Sequence, residues 1–360
     1  AGIARRSSLS DTTVLQIFDR YVDMKPLPLS EVISIDEVHL DIPRVCKYAL
    51  VIMDFLTGEP IDMLPGRKTG ITEPYFASLP PEGRSRVRYL ITDMYNPYLS
   101  FAGKYFPKAL PVVDSFHVVQ WLVRGILNRL NLMQKECRDR DEQRKREARA
   151  VSDAPLRFRM SDEAYLLKHH KRIMLRNPEH IRYNAPSRYD RHFRCMMDAY
   201  AYEERFFRAF PMLRDLRDLK DRYILFNQSN AGRPDIATVE IEKLISLYQA
   251  SGFEELRKFS GLLRKYKQPI INSFVLIAKD PRKGEVSRLS NGPIESLNRK
   301  PKDQKRNARG YLNFEHARNR FLFATRMNAP ILAAPKEKED IMNPTGKERG
   351  CYRKKAIKDK

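Results

Sequence analysis

Three short hydrophobic runs in the first third of the chain each end in an aspartate, and this pattern constrains the fold more than any other. The runs end at Asp36, Asp93 and Asp114. Each has the length and apolar content of a buried strand. One such aspartate usually marks only the return to solvent, whereas three in one sheet indicate a ligand site at the strand ends.

Two further runs complete an α/β pattern. Residues 45–54 are almost continuously apolar, and residues 61–64 can pair back on them after a turn. Helical patterns over residues 73–79 and 97–105 separate the later strands. The order β-β-β-α-β-α-β predicts an antiparallel meander followed by crossovers. We therefore expect an α/β fold with a mixed five-stranded sheet and flanking helices.

The chain becomes helical from His117 onward. Residues 135–149 carry mixed charges, which is typical of a solvated helix face or a linker. No strand pattern interrupts the helical periodicity that follows, so residues 133–285 are expected to be all-α. The helical patterns cover residues 162–176, 188–210, 213–226, 237–250 and 253–267.

The two terminal segments of the chain differ in pattern from the segments between them. Ser10 is a good N-cap for a helix from Asp11, so residues 1–23 could be a partial helix-turn-helix, with an ordinary amphipathic helix equally compatible. Residues 24–30, with two prolines, are predicted to be a linker. Residues 328–360 are predicted to be a basic, disordered tail.

Composition narrows the class of protein. There are 67 Lys+Arg against 45 Asp+Glu, a net charge of +22, which favours a nucleic-acid partner over a role in solubility alone. No apolar run approaches the length of a membrane helix, and no secretory signal is recognisable. The four cysteines form no C-x-x-C pair, so they fit free thiols in a reducing cytoplasm and predict no zinc site.

The acidic residues suggest metal chemistry. Asp36 and Asp93 would lie on neighbouring strands, and two such close carboxylates call for a cation. Hard oxygen ligands suit Mg²⁺ or Mn²⁺, and two ions can support in-line phosphoryl displacement. Glu295 is the candidate third carboxylate, with Asn298 on the same helix face. Taken alone, Glu295 could equally complement the N-terminus of its helix.

A basic segment directly follows Glu295. Phosphate contacts provide most of the affinity in protein–DNA complexes, so this segment is the predicted DNA-binding strip. Its cations are Arg299, Lys300, Lys302, Lys305, Arg306 and Arg309.

Five sequence blocks together resemble a known family. They are Ser-Ile-Asp-Glu at 34–37, Ile-Thr-Asp-Met-Tyr at 91–95, Val-Asp-Ser-Phe-His-Val-Val at 113–119, Asn-Gly-Pro-Ile-Glu-Ser-Leu-Asn at 291–298, and Lys-Arg-Asn-Ala-Arg-Gly-Tyr-Leu-Asn-Phe at 305–314. In this order they resemble the DDE transposases of bacterial insertion sequences, in the ISL3 group. The resemblance covers about residues 1–327.

The resemblance implies a ribonuclease-H-like core in two parts, residues 31–132 and 286–327, interrupted by a helical insertion over 133–285. It implies that Asp36, Asp93 and Glu295 are catalytic and hold two Mg²⁺ (or Mn²⁺) ions. Asp114 and His117 also match a family block, and we expect both, with Asn298, to have supporting roles.

The implied function is DNA cleavage and strand transfer at insertion-sequence ends. The implied partners are double-stranded DNA and further copies of the chain, with no membrane, in the bacterial cytoplasm at the nucleoid. Relatives carry an N-terminal zinc ribbon that is not seen here, so the chain is expected to be a truncated copy. Pro301 is expected to interrupt the helix after Glu295. The alternatives are an inactive DNA-binding remnant and a nuclease without joining activity.

Overall fold

The computed structural model describes residues 6–151, 158–280 and 285–337. The chain divides into two compact units. The first comprises Ala1–Leu90, Ser100–Ala109 and Asn291–Lys360, and the second comprises Ile91–Leu99 and Leu110–Ser290. No helix of the described residues is both long enough and apolar enough to span a membrane.

The first part of the chain alternates strands and helices in the predicted order. Its elements are α1 (Asp11–Tyr21), β1 (Val32–Ile42), β2 (Cys46–Asp54), β3 (Pro60–Leu64), α2 (Thr69–Ser78), α3 (Pro81–Arg86), β4 (Tyr89–Thr92), α4 (Asn96–Tyr105) and β5 (Leu110–Val113). The strands form one mixed sheet in the order β3-β2-β1-β4-β5. β1 pairs antiparallel with β2, and β2 with β3, which confirms the predicted meander.

The remaining elements are mostly helical. They are α5 (Ser115–Val151), α6 (Asp162–His169), α7 (Arg172–Leu175), β6 (Arg188–Asp190), β7 (Cys195–Met197), α8 (Ala199–Ala209), α9 (Met212–Ser229), α10 (Pro234–Gln249), α11 (Glu254–Lys265), α12 (Lys267–Asn272), β8 (Leu276–Asp280), β9 (Glu285–Arg288), α13 (Gly292–Leu297), α14 (Arg299–Asn307) and α15 (Phe314–Thr325).

β1 is longer than predicted, and this corrects the position of Asp36. Asp36 lies in the middle of the strand rather than at its end. The strand continues because Val38, Leu40 and Ile42 alternate with exposed residues and are buried. By contrast, Asp93 and Asp114 directly follow β4 and β5, as predicted.

The core of the first unit lies between the meander and the helices at the end of the chain. Buried side chains of β1 and β2 pack with Ile294, Phe314 and Phe321. Fully burying each such side chain contributes roughly 1.5–3 kcal/mol. The last helix begins after Asn313, whose side chain caps it by accepting a hydrogen bond from His316 N at 3.2 Å.

The N-terminal segments pack against this core. α1 begins at its predicted N-cap, Ser10, and Phe18 makes edge-to-face contacts with His316 and Phe323 of α15. The start of the expected helix-turn-helix falls partly outside the described residues. The predicted linker is not free, since Met24 is buried and its N–H donates to Asn319 Oδ1 at 3.1 Å. Its two prolines reflect an extended, packed segment.

The predicted disordered tail is also partly ordered. Leu332 N donates to Tyr21 O at 2.9 Å, and Lys336 N donates to Arg20 O at 2.8 Å. These hydrogen bonds satisfy carbonyls at the C-terminal end of α1, which has no further helical turn to bond to. Residues 338–360 of the predicted tail lie outside the described part.

In the second unit, helices surround one large apolar core. Leu122, Ile126 and Leu130 of α5 pack there with side chains of α9–α11. α5 runs unbroken through residue 133, where a domain boundary was predicted. The charged residues support the helix, because Arg138 pairs with Glu142 and Arg144 with Asp141.

Two short hairpins interrupt the segment that was predicted to be all-α. β6 pairs with β7, and β8 pairs with β9. Strands of three to five residues are too short to display a reliable alternation, and β6 and β7 lay inside a predicted helix. β9 belongs to the second unit, which extends to Ser290, whereas the second part of the core was predicted to begin at residue 286.

Candidate active site

In the first unit, Asp36 meets the Asn-Gly-x-x-Glu block near the end of the chain through Asn298. The Asn298 side-chain amide donates a hydrogen bond to Asp36 Oδ2 at 2.8 Å, although the two residues are 262 positions apart. Asn298 is buried, while Asp36 is half-buried. The contact fixes one carboxylate oxygen of Asp36 towards the helical segment that carries Glu295.

Local geometry explains the position of Glu295. Pro293 occupies the first turn of α13, where its missing N–H costs no hydrogen bond. The Glu295 N–H donates to Asn291 O at 2.9 Å and the Asn298 N–H to Ile294 O at 2.8 Å. Glu295 thus lies in the first turn, one helical turn from Asn298, as the spacing predicted.

The helix ends before Pro301 rather than at it. α13 stops at Leu297, and α14 begins at Arg299 after Asn298 as the C-cap. Pro301 is buried in the first turn of α14, where proline is tolerated. The expected interruption by Pro301 is therefore wrong, since the break at Asn298 comes earlier and places the amide against Asp36.

Asp36, Glu295 and Asn298 carry side-chain oxygens, the donor type that suits a hard divalent cation. Asp36 and Glu295 offer carboxylates, and the Oδ1 of Asn298 is buried with no hydrogen-bond partner among the described residues. A buried, unsatisfied amide oxygen costs free energy unless a cation or water contacts it. These residues therefore fit Mg²⁺ or Mn²⁺.

α14 lines a basic cleft in the first unit. The cleft has a volume of about 500 Å³, and its lining residues are His39, Lys302, Lys305, Arg306, Arg309 and Gly310. Four of the six predicted DNA-binding cations are thus in one place, whereas Arg299 and Lys300 are exposed outside its lining. A positive φ of +108° at Gly310 ends the cleft with a turn towards α15.

His39 is a cleft residue that the sequence analysis missed. It lies on β1, three residues after Asp36, and its ring meets Tyr48 edge-on with centroids 5.1 Å apart. The available signal was the alternation of β1, in which His39 falls between buried Val38 and Leu40. The alternation predicts that His39 is exposed, but it does not predict that His39 lies near α14.

In the second unit, Asp93 and Asp114 each cap the turn after their strand. Asp93 Oδ1 accepts from Tyr95 N at 3.0 Å, and Asp114 Oδ1 accepts from Phe116 N at 3.3 Å. Asp114 is buried, whereas Asp93 is half-buried. Each carboxylate therefore has a fixed orientation at the end of a strand.

The surroundings of Asp114 are built from the start of α5. His117 lies in the first turn, and its ring contacts Phe116. Further along the same helix, Trp121 stacks on Phe259 in the core, as a structural tryptophan would. Because Asp114 N also donates to Thr92 O at 3.3 Å, the ends of β4 and β5 are tied together.

Sheet order and strand-end acids define an α/β protein of the nucleic-acid-processing type. The family model for DDE transposases of the ISL3 group, described as transposase, matches residues 33–321. The match covers most of the chain, and the chain therefore belongs to this transposase family.

One curated relative is similar over a shorter segment. The transposase for insertion sequence element IS1001 of Bordetella parapertussis is 29% identical over 104 residues. These residues are 29% of this chain and 25% of the relative, so the chain matches about a quarter of that protein's length. No solved structure matches.

Proposed function

We propose that this chain is a metal-dependent DNA transposase that cuts at insertion-sequence ends and joins those ends to target DNA. The observation that supports this best is the hydrogen bond from Asn298 to Asp36. It links the acid of β1 to the Asn-Gly-x-x-Glu block, and the two sequence elements have no reason to meet in an unrelated fold.

In this proposal Asp36, Asp93 and Glu295 are the catalytic acids, and they hold two Mg²⁺ or Mn²⁺ ions. Asp36 lies on β1 and Asp93 directly follows β4, and these two strands are neighbours in the sheet order. Bound ions of this kind stabilise the attacking and leaving oxygens of an in-line phosphoryl displacement. Asn298 orients Asp36, and Asp114 with His117 supports the start of α5.

The chemistry requires no external energy source. Hydrolysis breaks one phosphodiester bond and frees a 3′-hydroxyl, which then attacks a target phosphodiester, so that one P–O bond forms as another breaks. The cleft cations bind the backbone of the DNA, and two or more copies of the chain hold the two ends. We place the reaction on double-stranded DNA at the bacterial nucleoid.

An end-joining assay tests the proposal. The purified chain is mixed with a pre-cut duplex bearing a 3′-hydroxyl and with supercoiled plasmid, in Mg²⁺, Mn²⁺ or EDTA. We expect metal-dependent joined products that disappear in Asp36→Asn, Asp93→Asn and Glu295→Gln. DNA binding should survive, because these variants remove negative charge from the chain.

Two variants serve as matched controls. Asp41→Asn removes an exposed carboxylate from the same strand as Asp36, and Glu315→Gln removes one from the first turn of α15. Both should join ends normally. Joining that persists in Asp36→Asn contradicts the proposed site, cleavage without joining indicates a nuclease, and DNA binding without either reaction indicates an inactive remnant.

A further inference from the structure

The second unit contains a pocket that the candidate active site does not use. It has a volume of about 710 Å³ and lies beside the β6–β7 hairpin. Arg176, Arg182 and Arg188 line it, together with two histidines and one acid, Asp198. We call this site the arginine pocket.

The acids near the arginine pocket are already bound by other donors. Asp198 is the N-cap of α8 and accepts from Ala201 N at 2.8 Å. Asp190, on the hairpin, accepts from the hydroxyls of Tyr165 and Tyr202 at 2.9 and 2.7 Å. These carboxylates are therefore not the partners of the arginines.

The three guanidinium groups face solvent. Arg176, Arg182 and Arg188 are exposed, and none forms an ion pair with a residue in the described part of the chain. Three exposed guanidinium groups lining one pocket offer several hydrogen-bond donors to an anion. The planar guanidinium fork matches the two free oxygens of a phosphate better than an ammonium group does.

The walls of the pocket are rigid. His170 stacks on Tyr202 with ring centroids 3.7 Å apart, and Tyr202 is held in turn by Asp190. Asp190 Oδ1 also accepts the N–H groups of His192 and Phe193, which fixes the loop of the hairpin that carries Arg188. The aromatic wall is thus held in place before a ligand binds, which confines the ordering cost to the arginine side chains.

We propose that the arginine pocket binds the phosphodiester backbone of DNA. It is open at the surface and larger than a single phosphate requires, so a continuous strand can enter it. The net charge of +22 favours a polyanion over a small metabolite. The inference rests on the proposed function only in taking DNA as the substrate.

The test is the salt dependence of DNA binding by the full chain. Fluorescence anisotropy with a short random-sequence duplex gives Kd over a series of KCl concentrations. For Arg182→Gln/Arg188→Gln, we expect weaker binding and a slope of log Kd against log salt that is smaller by roughly 2, one for each phosphate that the variant no longer neutralises.

Two further variants make the result decisive. Arg264→Gln removes an exposed arginine elsewhere in the second unit and should leave Kd and slope almost unchanged. Arg182→Lys/Arg188→Lys keeps the charge without the fork and should retain most of the salt slope with weaker binding. Thermal melting of each variant verifies that it is folded.

The outcomes separate this inference from the proposed function. An unchanged Kd and slope in the folded double glutamine variant overturn the arginine pocket as a DNA site. At saturating DNA that variant should still join ends. Loss of joining in the Asp36→Asn variant, by contrast, reports only on the catalytic acids.

Discussion

At the scale of single residues, Asn298 has two side-chain atoms in different situations. Its amide nitrogen binds Asp36 at 2.8 Å, while its Oδ1 is buried without a partner among the described residues. Residues that orient a ligating carboxylate typically change metal affinity or activity by about 10–100-fold when they are removed.

We therefore predict that Asn298→Ala raises the Mg²⁺ concentration for half-maximal end joining by about tenfold. The physical reason is that Asp36 loses the hydrogen bond that orients its carboxylate. The measurement is a Mg²⁺ titration of the joining rate at saturating DNA. A purely structural defect would lower the maximum rate without shifting the Mg²⁺ concentration at half-maximal rate.

Asn307→Ala is the matched control, because Asn307 is exposed at the end of α14. It should leave the Mg²⁺ titration unchanged. If Asn298→Ala lowers only the maximum rate and leaves the half-saturating Mg²⁺ concentration normal, then Asn298 stabilises the break between α13 and α14 and does not orient Asp36.

Individual site residues could be selected from the sequence, but their contacts could not. Asp93 and Asp114 follow buried strands, so their turns were predictable from local pattern. Asp36 was expected at the end of its strand, whereas its mid-strand position depends on the pairing of residues 37–42 with β2. Asn298 and Asp36 are 262 positions apart in the sequence, so their contact depends on tertiary packing that no local periodicity encodes.

At the scale of elements, the β6–β7 hairpin is held by one carboxylate. Burial raises the pKa of Asp190, but hydrogen bonds from Tyr202, Phe193, Tyr165 and His192 outweigh this and lower it to about 2. Because the folded pKa lies below the unfolded value, Asp190 stabilises the protein above pH ~4, and this contribution is lost as the pH falls towards about 2.

We predict that Asp190→Asn lowers the free energy of unfolding by about 2 kcal/mol at neutral pH. The reason is that the lowered pKa of Asp190 corresponds to a stabilisation of about this size in the folded state. The difference between wild type and variant should shrink as the pH is lowered from about 4. Urea unfolding followed by circular dichroism at successive pH values measures it.

Asp139→Asn, an exposed site on α5, is the control and should change the stability little at any pH. A difference between wild type and Asp190→Asn that stays constant down to the acid limit of the folded protein would contradict the charged role of Asp190. The stabilisation by Asp190 would then come from the geometry of its hydroxyl contacts and not from its charge.

The sequence indicated the helix with the long apolar stripe and missed the two hairpins. α5 has an apolar stripe of several turns, so its existence followed from periodicity. β6 and β7 have three residues each, and their register is set by Asp190 and two distant tyrosines. The packing of residues 24–30 could not be predicted, because prolines mark an extended chain without showing what it packs against.

At the scale of the whole molecule, the excess positive charge is unevenly distributed. In the described part, α5 mixes arginines with acids, and Arg138 and Arg144 form ion pairs within the helix. The cleft lined by α14 combines four cations, and the acid nearest in sequence, Asp303, pairs with Arg306 at 3.4 Å. Each cation that neutralises a DNA phosphate releases the counterions condensed there.

We predict that replacing Lys302, Lys305, Arg306 and Arg309 with glutamine weakens duplex binding for every sequence tested. The slope of log Kd against log salt should fall by roughly 4, because each of the four cations neutralises one phosphate. The measurement is anisotropy over a KCl series with two duplexes of unrelated sequence.

A second quadruple variant isolates position from total charge. Replacing Arg138, Arg144, Arg146 and Arg149 of α5 with glutamine removes the same number of charges from a segment of mixed sign. We expect this variant to keep nearly the wild-type slope, since its arginines are offset by neighbouring acids. Equal losses of affinity in the two variants would mean that DNA responds to net charge alone, and the cleft lined by α14 would then have no special role in binding the backbone.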